Sequence, residues 1–259
     1  MRQDDHTAVL SRSFGAVAGE YDRLRSGPSD ESLDWLLPAD ATDVLEIGAG
    51  TGILTRLLAE RVEHVTAVEP DDRMRAVLSG FGVQADVRAG HGEELPVDSS
   101  SYDVVIAASA WHWVDEVRAV PEAARVLRPG GRLALTWNGV DRSVDWMRSL
   151  WAGGVELSPD EQAAVDRRRR SRHVVDVEAS GPSPFLEPES RVFRWTRRMA
   201  IDDLIGMAAT YSAVITMDDE ARRRHLESMR RYLNAQPALA GRDLIDVPMR
   251  SYCWRAAKA

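Results

Sequence analysis

Val44-Leu45-Glu46-Ile47-Gly48-Ala49-Gly50-Thr51-Gly52 is the stretch whose reading decides the fold. Its first half is a short apolar run closed by glycines, which predicts a buried strand. Beyond Gly52, Ile53, Leu54, Leu57 and Leu58 recur at helical spacing. A glycine-rich link between strand and helix lets the backbone turn tightly and lets a ligand approach without meeting side chains. Glu46 stands inside the apolar strand, where a carboxylate is costly unless it has a partner. The expected partner is a donor-bearing ligand or the hydrogen-bonded loop that holds one.

The rhythm continues outward from this turn. His64 to Val68 predicts a second strand, and Glu69 ends it, 21 positions after Gly48. A carboxylate there can accept hydrogen bonds from both hydroxyls of a ribose. Asp71 opens a helix with Met74, Val77 and Leu78 on one face. Alternation over Val83, Ala85, Val87 and Ala89 suits a strand near a sheet edge. Val104 to Ala107 is a strongly apolar strand, and Val117, Val120, Ala124 and Leu127 mark the helix after it. Arg128-Pro129-Gly130-Gly131 ends that helix and leads into a strand at Leu133 to Trp137. Strands alternating with helices over residues 41–139 predict a parallel sheet covered on both faces, with right-handed crossovers. Ligands of such sheets bind beyond the carboxyl ends of the strands.

The remaining segments are less regular. Residues 1–40 read as an N-terminal helical cap, 140–190 as a lid or insertion, and 191–259 as the part that completes the sheet. In this last part, strands are expected near 191–196 and 244–255, with helices near 202–213 and 218–233. All 259 residues are expected to form one domain.

Composition excludes several classes. Hydrophobic residues at 44% and charged residues at 29% match a soluble globular chain. No apolar run is long enough for a transmembrane helix, and Met1 to Leu10 lacks the apolar core of a signal peptide. A single cysteine, Cys253, precludes an internal disulfide or a cysteine-based zinc site and fits a reducing cytoplasm. Six scattered histidines offer no paired metal-ligand spacing. Residues 1–150 carry 15 basic and 25 acidic side chains, net −10, within an overall charge of −8. So acidic a chain is unsuited to nonspecific nucleic-acid binding. The run Arg167 to Arg170, with Arg172, has Asp160, Glu161 and Asp166 beside it and predicts a solvated helix face.

Taken in order, these segments resemble the class I S-adenosylmethionine-dependent methyltransferases. Residues 44–52 resemble that family's first motif, and Ala67-Val68-Glu69-Pro70 its ribose-binding strand end. Gly90-His91-Gly92-Glu93-Glu94-Leu95-Pro96 resembles the loop bordering the adenine, with His91-Gly92 where Asp-Ala is usual. Leu127-Arg128-Pro129-Gly130-Gly131 resembles the turn before the fifth strand. The flanks, with Tyr21-Asp22-Arg23 and the tail Cys253-Trp254-Arg255, are similar to a bacterial small-molecule subgroup, the methyltransferase type 11 proteins. The resemblance implies a Rossmann-like α/β fold with seven mainly parallel strands, the last antiparallel. It also implies methyl transfer to a small organic acceptor, as in secondary metabolism, with S-adenosylhomocysteine as product. Cofactor contacts are implied at Tyr21, Glu46, Gly48, Ala49, Gly50, Thr51, Gly52, Glu69, Pro70, Met74, Gly90, His91, Gly92, Glu93, Ala108, Ser109 and Ala110.

Trp111-His112-Trp113 follows the fourth strand, where the reacting methyl would sit, and is the candidate acceptor-pocket wall. His112 is the candidate base, and Tyr21 a candidate to approach the methionine end of the cofactor. Alternatively, both Trp rings pack the next helix and His112 only bonds backbone. Arg25 is expected to be solvated, the alternative being a pair with the cofactor carboxylate. Two other functions fit the same fold: a nicotinamide-dependent oxidoreductase and a noncatalytic cofactor-binding protein. The G-x-G-x-G spacing and Glu46 argue against the first.

Overall fold

A computed structural model describes residues 18–154, 158, 160–161, 175–239 and 241–259. The N-terminal ten residues and the run Arg167 to Arg170 lie outside the described residues. Seven strands form one sheet in the order β3-β2-β1-β4-β5-β7-β6. They are β1 (Asp43–Ile47), β2 (His64–Val68), β3 (Asp86–Arg88), β4 (Tyr102–Ala108), β5 (Leu127–Val140), β6 (Glu189–Met199) and β7 (Ile245–Ala257). The pairs β1–β2, β1–β4, β2–β3 and β4–β5 are parallel. Along β5 and β7 the residue numbers run in opposite directions, with Lys258 bonded to Gly131 and Asp141 to Pro248, so β7 is antiparallel as expected.

The described residues belong to two compact units. The first holds residues 26–138, 175–193 and 251–259. Successive side chains of a strand point to opposite faces, and here both faces are buried. Leu45, Val105, Leu133 and Leu135 pack against Ala119, Val120 and Ala123 of α5 (Glu116–Val126). On the other face, Val44, Val104, Ile106 and Ala134 meet Leu33 and Leu36 of α2 (Asp30–Leu36), and Leu54 and Leu58 of α3 (Ile53–Ala59). α4 (Asp72–Gly80) is capped by Asp71, whose carboxylate accepts the N–H of Arg73 and Met74 at 2.9 and 3.4 Å. Asp103 ties β4 to the start of β1. The N–H of Asp43, the Arg128 guanidinium and both the N–H and hydroxyl of Thr42 hold its carboxyl at about 2, against the upward push of burial.

Two sequence expectations change, and one helix residue points outward. Val117 is 52% exposed, because α5 turns Ala119, Val120, Ala123 and Ala124 toward the sheet instead. Arg128-Pro129-Gly130-Gly131 does not precede β5 but lies within it. Tyr102 pairs with Leu127 and Val104 with Arg132, so the Pro-Gly-Gly segment bulges out of the ladder. The helix expected at 202–213 is two helices, α7 (Ile201–Ala209) and α8 (Ser212–Ile215).

The second unit holds α1 (Ala18–Leu24), α6 (Asp145–Trp151), α7, α8 and α9 (Asp219–Asn234), together with parts of β5, β6 and β7. Met147, Leu150, Leu204, Met207, Met229, Leu233 and Val247 form its core. No helix among the described residues is long and apolar enough to cross a membrane.

Candidate cofactor and active site

The candidate site is the group of loops in the first unit at the carboxyl ends of β1, β2 and β4. Gly48 and Gly50 follow β1 with φ of +69° and +58°, the left-handed region that side-chain-bearing residues avoid. A Cβ on Gly48 would come within 2.5 Å of Ala110 Cβ, so the loops after β1 and β4 are pressed together. A Cβ on Gly50 would meet nothing within 4 Å. The first glycine is therefore required by close packing and the second leaves open space.

Glu69 closes β2 as a buried carboxylate. Its oxygens accept the N–H of Gly50 and of Asp71, each at 2.9 Å. One side chain thus pins the glycine loop to the entry of α4. Burial pushes its carboxyl above the usual range, against the pull of those two N–H donors. Glu46 is 1% exposed and accepts the Thr55 hydroxyl of α3 at 2.6 Å. Burial pushes its carboxyl up to about 8, with the Thr55 bond only partly opposing the shift. The partner expected of Glu46 is thus a hydroxyl on the following helix, which the sequence reading missed.

This placement has a consequence for stability. The native Glu46 binds a proton more tightly than an unfolded glutamate, so stability should fall as pH rises from about 4.5 to 8. The effect is no more than about 5 kcal/mol. Glu46→Gln cannot titrate, and its melting temperature should decline less over that window. Melting curves at pH 5 and pH 8 check this, and parallel losses in both proteins would contradict it.

The other expected site residues fall in different places. Pro70 is exposed and Met74 buried at the first turn of α4. Ala49, Thr51 and Gly52 are buried within the glycine turn. Gly90 and Gly92 are close-packed, against Val68 and Pro96 in one case and Ile47 and Val114 in the other. His91 is exposed and its backbone bridges to Glu94. Glu93 accepts the N–H of Asp115 at 2.8 Å, fastening the segment 90–96 to the entry of α5. Ala108 ends β4, and Ser109 follows at φ +54°, an uncommon backbone state for a residue with a side chain. Trp111 is buried in the core, and its indole donates to Glu116 at 2.8 Å. It is therefore not a pocket wall, and the alternative of ordinary packing holds for this ring. His112 is exposed, with its ring 4.5 Å from that of half-buried Trp113.

Tyr21 belongs to the second unit. There Arg25 lies over the Tyr21 and Tyr211 rings, at 5.2 and 3.6 Å from their centres, and donates to Thr210 Oγ1 at 2.9 Å. Arg25 is thus stacked and bonded, which corrects the expectation of a solvated side chain. No cluster of potential metal ligands occurs among the described residues.

The residues suit an adenosyl cofactor. The Thr51 hydroxyl is buried beside the glycine turn without a hydrogen-bond partner, Gly50 fronts open space, and a carboxylate ends β2. Residues 45–135 match the model of the methyltransferase domain, type 11. Over 250 residues, 96% of this chain and 97% of the relative, the sequence is 40% identical to an uncharacterized methyltransferase of Mycobacterium tuberculosis. It is 30% identical over 201 residues to malonyl-[acyl-carrier protein] O-methyltransferase of Herminiimonas arsenicoxydans, covering 74% of this chain and 72% of that one. A solved structure from Anaeromyxobacter dehalogenans, assigned as a type II methyltransferase, superposes with a TM-score of 0.63 at 25% identity, covering 90% of this chain and 97% of that one. The chain belongs to the methyltransferase family that these proteins share, and its cofactor is S-adenosylmethionine.

Proposed function

We propose that this methyltransferase acts on a small organic acceptor by in-line displacement. The observation that supports a cofactor site here is the joining of three strand ends: Gly48 against Ala110, and Glu69 bonded to Gly50. Glu69 and the glycine turn would hold the ribose and the adjoining chain of the cofactor. Pro70, Met74 and residues 90–93 would border the adenine, with Ala108, Ser109 and Ala110 near the methionine part. Bound there, S-adenosylmethionine supplies an electrophilic methyl group on a sulfonium that is already a good leaving group. The protein then needs mainly to align acceptor and methyl and to exclude water. His112 would take a proton only from acceptors that must lose one before or during attack. Tyr21 as a cofactor contact rests on the family resemblance, and the division into cap, core, lid and C-terminal part rests on the sequence pattern. We place the enzyme in the cytoplasm on its cysteine content, and nucleic acids and membranes are not expected partners. The test is transfer of label from methyl-tritiated S-adenosylmethionine to candidate acceptors. Labelled small-molecule product supports the proposal. Label found only on nucleic acid or protein would overturn it.

A further inference from the structure

Asn138 is a polar group near the strand ends that the cofactor contacts leave unused. It lies at the carboxyl end of β5, two residues beyond Thr136, which pairs with Ala108 at the end of β4. Its carboxamide oxygen accepts two hydroxyls, Ser251 Oγ of β7 at 2.5 Å and Thr136 Oγ1 at 3.2 Å. A carboxamide is planar, with its oxygen and its NH2 on opposite sides. With the oxygen occupied twice, the group presents its NH2, and no hydrogen bond engages that NH2 among the described residues. The backbone beside it is fixed as well. The Asn138 N–H reaches Ser109 Oγ at 3.4 Å, and the Ser109 N–H donates to Thr136 O at 2.7 Å, which holds Ser109 at its positive φ. A held backbone of this kind at a strand end is where functional sites store strain.

Sheet order gives the direction. Glu69, the ribose carboxylate of the proposed site, immediately follows β2, and the glycine turn follows β1. The next strands are β4, β5 and β7, so Asn138 and Ser251 lie across β4 from Glu69, on the other side of the glycine turn. We infer that the Asn138 NH2 is a specificity-determining donor that selects acceptors offering a carboxylate or carbonyl oxygen, with Ser251 and Thr136 as positioning residues. The inference rests on the methyltransferase reading and deepens it. A donor-only group matches an oxygen lone pair and has nothing to offer an ammonium, which is itself a donor. Asn138 binds one oxygen of a carboxylate and leaves the other to attack. That oxygen supplies the electron pair of the new O–CH3 bond. The S–CH3 bond breaks with its pair left on sulfur, giving the neutral thioether, and no proton needs to leave. The Herminiimonas relative, by its name, methylates an oxygen of a malonyl group.

The experiment measures S-adenosylhomocysteine release by the full chain with two sets of probes. The oxygen set is malonate and malonyl-N-acetylcysteamine, and the amine set is ethanolamine and histamine. Turnover of the oxygen set alone is expected. Asn138→Asp keeps the shape and still accepts both hydroxyls, but it replaces the donor with a carboxylate oxygen. It should lower kcat/KM for the oxygen set at least 100-fold, mostly through KM, with S-adenosylhomocysteine affinity unchanged. Ser251→Ala should raise KM about tenfold, and Ser251→Thr should restore it. Turnover of the amines alone, turnover of neither set by protein that binds the cofactor, or an unaltered Asn138→Asp variant would overturn the inference. Failure to bind S-adenosylmethionine at all would instead sink the methyltransferase reading.

Discussion

Gly50→Val should lose S-adenosylhomocysteine binding by 100-fold or more while remaining folded. Two structural facts lead there. Gly50 has φ +58°, so a valine costs about 1–2 kcal/mol of backbone strain, which a domain of this size tolerates. The Cβ itself meets no protein atom within 4 Å, so nothing in the core has to move. What the side chain would fill is the open space in front of the turn, which is the proposed path of the cofactor. Calorimetric titration reads the affinity and a thermal melt reads the fold. Wild-type affinity in a folded variant would remove the glycine turn from the site. A variant that does not fold would show that the turn serves stability instead.

The second large effect concerns Glu69. Its two oxygens each accept a backbone N–H, from Gly50 and from Asp71. Glu69→Gln keeps the size but turns one acceptor into a donor. An NH2 then faces one of those two N–H groups, and the bond linking the glycine loop to α4 is broken on one side. In the proposed site the ribose hydroxyls would also lose a charged acceptor, and hydrogen bonds to charged groups contribute about 1.5–3 kcal/mol. Cofactor affinity should fall roughly 30-fold or more, with a lowered melting temperature. An unchanged Kd for S-adenosylhomocysteine would mean that Glu69 is only a structural clasp.

The two effects differ in kind. Gly50 acts by the absence of a side chain, and its replacement leaves internal bonds intact. Glu69 serves both the fold and the site, so its replacement is expected to move both readouts. Measured together, they separate loss of cofactor space from loss of loop order.

How far the sequence discloses this site follows from distance along the chain. The glycine turn, Glu46 and Glu69 are legible because strand, turn and carboxylate are close in sequence and each has a local chemical reason. Thr55 could be found too, since it lies on the first turns of the helix that packs against the strand of Glu46. Asn138 and Ser251 carry no such signal. They are 113 positions apart and meet only because β7 runs antiparallel beside β5. Residue type also misleads. Trp111 has the size and polar handle of a pocket residue, yet the same properties suit a buried ring with a carboxylate at its N–H. Val117, one of the apolar residues that mark α5, points outward. The small residues Ala119 and Ala123 set the true face of α5, and an alanine contributes little to a hydrophobic pattern. The Pro-Gly-Gly segment reads locally as a turn and proves to be a bulge, because the pairing of β4 resumes beyond it.

The central claim, an adenosyl cofactor on the ends of β1, β2 and β4, is tested most directly by calorimetry. Purified protein is titrated in parallel with S-adenosylmethionine, S-adenosylhomocysteine and NAD. Saturable binding of the first two, with none of the third, is the predicted result. Binding of NAD and of neither adenosyl compound would contradict it and leave only the fold.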